Sequence, residues 1–183
     1  LVIPSSVTSI GEGSLANIEG VKKIIIPSTV KEIQKNAFNG NTEIEEVIFE
    51  TEVINGVEYG LEKIGDSVFS GCKSLTKIEL PNTVIEIGVG IFEGCSSLKI
   101  IKLSNGLTQL SGYLFNGCTA LEEVIVPEGI KTIDNGVFWY CRNLKKIILP
   151  KTLNVIESNV FEGSSKIESI EIADGNENFA SEN

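Results

Sequence analysis

The stretch LTKIELPNTVIEIGVGIFEGCSS, residues 75–97, returns from Leu98, Leu121 and Leu144, each start lying 23 residues after the one before. A fixed period of this length marks a solenoid of stacked coils, because one such unit cannot bury its apolar face alone. Numbered from its first apolar residue, the repeat is apolar at positions 1, 4 and 6, proline at 7, apolar at 10 and 13, phenylalanine at 18, and glycine-cysteine at 20 and 21.

Outward from this unit the same pattern covers nearly the whole chain. Leu1 falls at position 4, so coil one supplies Leu1, Ile3, Pro4, Val7, Ile10 and Leu15. Coil two supplies Val21, Ile24, Ile26, Pro27, Val30, Ile33 and Phe38, and coil three starts at Ile44, takes eight extra residues between Phe49 and Leu61, and resumes. An eighth coil begins with Ile167, Ile170 and Ile172 before the pattern gives way to ADGNENFASEN. The expected organisation is one solenoid over residues 1–172, about seven coils starting mid-repeat with an insertion near 50–60, and an irregular segment 173–183 that starts a further coil or cap.

Positions 3 to 6 alternate outward and inward, which reads as a short strand stacked in parallel on its neighbours at about 4.8 Å. All five prolines sit at position 7, where a fixed φ and a missing N–H suit the end of a strand. A second extended piece spans positions 10 to 13. Positions 14 to 19 suit a single helical or 3₁₀ turn with residues 17 and 18 facing inward. The expected fold class is an α/β-type repeat solenoid, with short parallel strands on one face and short helical or 3₁₀ turns on the opposite side.

A content of 42% hydrophobic and 22% charged residues is that of a water-soluble domain, and no apolar run is long enough to span a bilayer. The net charge of −10 argues against nucleic acid or an anionic membrane as partner, since both require a basic footprint. The chain contains no histidine, which removes the usual general base and any Ser-His-Asp or Cys-His mechanism. It has no methionine and starts at Leu1, so it is read as an internal or processed piece, with capping segments expected beyond its open end coils. No enzyme, cofactor or metal is expected.

Cys72, Cys95, Cys118 and Cys141 form a column with one thiol per coil. A straight file of ligands cannot surround a tetrahedral ion, and adjacent parallel Cβ vectors are poorly placed for a disulfide. A buried, reduced ladder of small apolar side chains is expected. Asp174, Asn176 and Asn178 have the look of a calcium loop, but Phe179 stands where glycine is needed.

The pattern L-x-x-I-x-L-P-x-x-V-x-x-I-G-x-x-x-F-x-G-C, recurring with proline, phenylalanine and cysteine in register, resembles the BspA-like (Treponema-type) leucine-rich repeat over residues 1 to about 172. Glu50 and Ser104 depart from it at the proline, and Asn41 and Ser164 at the cysteine. The resemblance implies a cell-surface or secreted protein engaged in adhesion to host matrix proteins or in cell-cell contact, with no shared catalytic residues. It also implies that the sheet face binds. There, charges at positions 2 and 3 alternate in sign down the stack, while Ile25 and Ile48 near one end and Ile125 and Ile148 near the other place apolar residues outward at position 5.

Two further features are candidates for contact. In the insertion, Asn55-Gly56 between extended residues signals a type I′ hairpin that would present Tyr59. Trp139 and Tyr140 replace a polar-glycine pair, with Tyr113 one coil away, a composition that suits a protein hot spot or a sugar platform. The function expected is a non-catalytic protein-binding module of a surface adhesin, with a matrix or host surface protein as partner. An intracellular or envelope scaffold and a carbohydrate-binding surface are the competing classes.

Overall fold

A computed structural model describes residues 1–173. Asp174, Asn176 and Asn178, which only have the look of a calcium loop, lie outside them. The chain winds as a right-through stack of coils with two short strands per turn. On the first face, Lys23–Ile26, Glu46–Phe49, Lys77–Glu79 and Ile100–Lys102 form one parallel sheet, and Glu123–Ile125, Lys146–Leu149 and Ser169–Ile172 form another. On the second face, Ser9–Ile10, Glu32–Ile33, Lys63–Ile64 and Glu86–Ile87 pair in parallel, as do Gln109–Leu110, Thr132–Ile133 and Val155–Ile156. Every parallel partner lies one coil away and in register, Ile24 beside Val47 and Ile147 beside Ile170.

The proline column works as the first residue of a β-turn. The amide three residues on donates back to its carbonyl, from Val30 to Pro27 at 3.1 Å and from Val84 to Pro81 at 3.0 Å. Ser104 keeps that turn, accepting from Leu107 at 3.4 Å.

The third side of each coil departs from the expectation of a helical or 3₁₀ turn. Among the described residues it is a run of β-turns, and the reason lies in where alternate amides point. Ala37 and Asn39 donate within the coil, to Gln34 and Asn36, while Asn36, Phe38 and Gly40 donate to Asp66, Val68 and Ser70 of the next coil. A helix would need all of those donors for itself; here half of them tie coil to coil. The alternation requires left-handed backbone at positions 16 and 20. Position 20 is glycine in most coils, such as Gly94 at φ 70°, but Tyr113 at position 16 (φ 57°) and Tyr140 at position 20 (φ 54°) take the same conformation.

Residues 17 and 18 do face inward, as expected. Phe38, Phe69, Phe92, Phe115 and Phe138 are fully buried and, with half-buried Phe161, stack in one file with neighbouring centroids 5.5–6.0 Å apart.

The cysteine column is buried and reduced, but its side chains do more than fill space. Each thiol donates to the carbonyl of the preceding coil's phenylalanine: Cys95 to Phe69 at 3.1 Å, Cys118 to Phe92 at 3.2 Å, Cys141 to Phe115 at 3.1 Å. Asn41 donates to Leu15 at 2.7 Å and Ser164 to Phe138 at 2.6 Å, so the two departures from cysteine keep the donor. Burial pushes the Cys72 and Cys141 thiols up to about 12 and raises Cys95 and Cys118 well above the ordinary thiol value, which leaves them without nucleophilic thiolate. Cys118→Ala is therefore expected to lose about 0.5–1.5 kcal/mol, the worth of one hydrogen bond, because the Phe92 carbonyl keeps its bond from the Cys95 amide at 3.1 Å; Cys118→Ser, which keeps a donor, loses less. Urea unfolding of both variants checks this, and equal losses would reduce the column to packing.

Candidate binding surface on the sheet face

The charged positions on the first face neutralise one another down the stack. Lys22 pairs with Glu45 at 2.9 Å, Lys23 with Glu46 at 2.8 Å, and Lys145 with Glu122 at 3.2 Å, each between adjacent coils. Lys146 reaches Glu171 at 2.9 Å, and Lys77 takes Glu79 of its own strand at 2.6 Å. The hydrogen bond and charge of Glu45 raise the Lys22 ammonium above its ordinary value. These pairs are exposed, so they set register and solubility more than stability.

Between these charges the ladder opens in two places. The insertion leaves the sheet after Phe49, and Glu46–Phe49 consequently pairs with Lys77–Glu79 only at Glu46 and Lys77. A groove of about 530 Å³ follows, lined by Ile48, Phe49, Ile78 and Glu79. The second opening lies between Ile100–Lys102 and Glu123–Ile125, which belong to separate sheets. Elsewhere the amide at position 3 donates to the previous coil's position 2, from Ile100 to Thr76 at 3.2 Å and from Lys146 to Glu122 at 3.2 Å. Among the described residues no such bond runs from Glu123 to Lys99. A groove of about 500 Å³ lies over this gap, lined by Lys99, Ile100, Lys102, Glu123 and Ile125 among others. A smaller cleft lined by Phe49, Glu58, Glu79 and Lys102 shares residues with both and makes one track across the face.

On the second face the same coil is again where the ladder breaks, between Glu86–Ile87 and Gln109–Leu110. At this junction two serine hydroxyls bridge the coils, that of Ser111 in place of a backbone amide and that of Ser104 in place of the threonine hydroxyl used by Thr29, Thr83 and Thr152 in other coils. Ser111 donates to Ile87 at 2.7 Å, and Ser104 donates to Val84 at 2.6 Å.

The isoleucines named from the sequence divide. Ile125 is 61% exposed in the second groove, and Ile48 lines the first; Ile25 and Ile148 are half-buried beside them, in register with Ile48 and Ile125 respectively. Ile100, 56% exposed at a position that is mostly charged in other coils, joins Ile125 and was the residue that sequence reasoning passed over. Its signal was visible as an isoleucine where the column otherwise reads lysine, glutamate or serine.

The insertion forms the hairpin, Glu52–Ile54 against Val57–Tyr59, with both turn residues at positive φ (Asn55 52°, Gly56 80°) as a type I′ turn requires. It exposes Val53, Ile54, Val57 and Tyr59, and the Lys31 ammonium lies 5.5 Å from the Tyr59 ring centroid.

Tyr113, Trp139 and Tyr140 do come together, but on the turn side, away from the sheet track. Trp139 stacks on Tyr140 at 5.4 Å and tilts against Tyr113 at 5.6 Å. Each tyrosine ring lies over a glycine of the next coil: a Cβ on Gly136 would sit 2.8 Å from Tyr113 Cε1, and one on Gly163 would overlap the Tyr140 ring. Among the described residues the Trp139 Nε1–H is buried without an acceptor, and Tyr140, 41% exposed, is the accessible ring. Arg142 lies 5.6 Å from its centroid.

Comparison with known proteins agrees with the coil geometry. No curated protein matches the chain. Among solved structures it is similar to a leucine rich cell surface protein from Faecalibacterium prausnitzii A2-165, with a TM-score of 0.62, 22% identity, 94% of this chain and 59% of that one covered. It is also similar to the pneumococcal vaccine antigen PcpA, with a TM-score of 0.59, 24% identity, and 96% and 40% covered. A T. pallidum leucine-rich repeat protein gives a TM-score of 0.62, 23% identity, and 93% and 71% covered. The chain thus spans 59% and 40% of the first two proteins' lengths, and at these identities the likeness is one of fold. The description "BspA type Leucine rich repeat region" matches residues 1–59 and 62–182 in 6 copies. With proline turns, phenylalanine file and donor column in register across that span, the chain belongs to the BspA-type leucine-rich repeat family.

Proposed function

We propose that this chain is a non-catalytic protein-binding module of a cell-surface or secreted adhesin, and that the partner lies across the sheet track. The observation that carries this reading is the open ladder with exposed Ile100 and Ile125 in the middle of an otherwise charge-paired face. Such a repeat family typically serves protein interaction, and similar solved structures include a cell surface protein and a vaccine antigen. Both support the surface reading. Residues 1–172 act as the solenoid unit in this proposal, with the hairpin as its one projecting element.

The aromatic stack on the turn side supports a second reading as a glycan platform, since Tyr140 offers a ring face beside Arg142. One experiment addresses both: the chain is immobilised and exposed to a panel of extracellular-matrix proteins, host surface proteins and glycans. The Ile125→Ser/Ile148→Ser double variant is expected to weaken protein capture by about tenfold while the chain still melts cooperatively, at a modestly lower temperature because Ile148 is half-buried. Tyr140→Ala is expected to leave protein capture intact. Protein capture unaffected by the isoleucine changes would move the site off the sheet, and glycan capture lost in Tyr140→Ala would favour the second reading.

A further inference from the structure

Coil five stands apart from its neighbours in charge as well as in pairing. On the first face the lysines of coils two, four and seven are all engaged in ion pairs (Lys22, Lys23, Lys77, Lys145, Lys146). Among the described residues Lys99 and Lys102 have no ion-pair partner, although both are exposed. Lys102 adds a weak pull to Glu79, whose carboxyl is held below its ordinary value mainly by the hydrogen bond from Lys77. On the facing strand Glu122 is committed to Lys145, which leaves Glu123 as the groove's uncommitted carboxylate.

The groove therefore combines three properties. Its floor is apolar, with Ile100, Ile101 and Ile125; its coil-five rim carries two ammonium groups that have no ion-pair partner among the described residues, on a chain of net charge −10. Its two strand edges lack the backbone bonds that every other coil junction of the second sheet makes. Apolar floor and unpaired strand edges are recognised by extended polypeptide. Unpaired lysines in a coil without acids of its own select carboxylates.

We infer that the groove between Ile100–Lys102 and Glu123–Ile125 binds an extended acidic-apolar segment of a protein partner. An apolar side chain rests on Ile100 and Ile125, and flanking carboxylates meet Lys99 and Lys102. The groove's volume of about 500 Å³ suits a segment of a few residues lying over the gap. This rests on the sheet-face reading above and names the partner chemistry at that site.

The test uses a fluorescein-labelled Glu-Val-Glu-Val-Glu peptide, followed by fluorescence anisotropy against the whole chain, with Lys-Val-Lys-Val-Lys as the reversed-charge probe. Saturable binding of the acidic peptide is expected, weakened about tenfold in Lys99→Glu/Lys102→Glu and likewise in Ile100→Ser. It should also weaken severalfold in about 0.5 M salt, and the basic peptide should not bind. Both lysines are exposed, so the charge reversal leaves the fold intact, which a melting curve verifies. No saturable binding, equal binding of the basic peptide, or full binding by the double variant overturns the inference. If the acidic peptide fails while Ile125→Ser/Ile148→Ser still weakens capture of a whole protein, only the acidic-segment inference falls. If those isoleucine changes also leave capture intact, the sheet-face reading falls with it.

Discussion

Phe92→Ala is expected to lower the melting temperature by about 6–20 °C, from a loss of about 3–5 kcal/mol. Phe92 is fully buried in the middle of the aromatic file, 6.0 Å from Phe69 and 5.9 Å from Phe115. Truncation removes the ring's burial and leaves a gap touching two coils at once. In a solenoid each coil is stable only through its neighbours, so a gap at the centre weakens two interfaces, with no terminal coil to fray first. Phe161 is the internal comparison. It is half-buried and stacks only on Phe138, 5.6 Å away, among the described residues. Phe161→Ala should therefore cost clearly less, and thermal melts by circular dichroism would show the difference. Equal shifts would mean that the file contributes by composition and not by continuity.

What the sequence made legible is whatever a side chain writes into the period. The inward apolar columns, the proline corner, the phenylalanine file and the Asn55-Gly56 turn each depend on residue type, and each stands where the pattern puts it except towards the ends, where Leu1, Ile156 and Ile170 of the inward columns are exposed. The turn side was misread because helix and β-turn run present the same inward residues, such as Val68 and Phe69. They differ only in whether the amide of Phe69 donates within its coil or to Ile91 of the next, at 2.9 Å. Backbone donors carry no residue label. The cysteine column was half legible: burial followed from composition, but the donor role showed only through Asn41 and Ser164, which are polar where cysteine is apolar and keep a hydrogen to give.

The candidate site follows the same division. Exposed Ile125 could be placed from its outward position, yet the opening beside it could not, because Ile101, Leu103, Val124 and Val126 keep the apolar pattern through the gap. Pattern reports which face a side chain takes and is silent on whether two strands are bonded. The traces that coil five did leave are Ile100, Ser104 and Ser111, the last two bonding through hydroxyls to the carbonyls of coil four.

Gly88→Ala should be the most damaging single-methyl change, a loss of about 3 kcal/mol at the upper end of overpacking costs, while the equivalent Gly11→Ala should be neutral or slightly stabilising. Gly11, Gly65 and Gly88 all occupy position 14, so sequence alone treats them alike. Gly88 lies against the coil below: its added Cβ would overlap the Asp66 amide nitrogen and lie 2.5 Å from the Gly65 carbonyl carbon. These are backbone atoms fixed by the bond from Gly88 to Ile64 at 2.7 Å and by the Asp66 carboxylate, which accepts from the Val89 amide at 2.9 Å. Nothing there can give without parting two coils. Gly11 has no atom within 4 Å of the same methyl, and its backbone is outside the left-handed region. There the lost flexibility of the unfolded chain is the main term left. Chemical denaturation of the two variants measures the contrast directly. A Gly88→Ala chain as stable as Gly11→Ala would show that coils three and four are not stacked at this distance, and the register of the whole ladder would have to be redrawn from that junction.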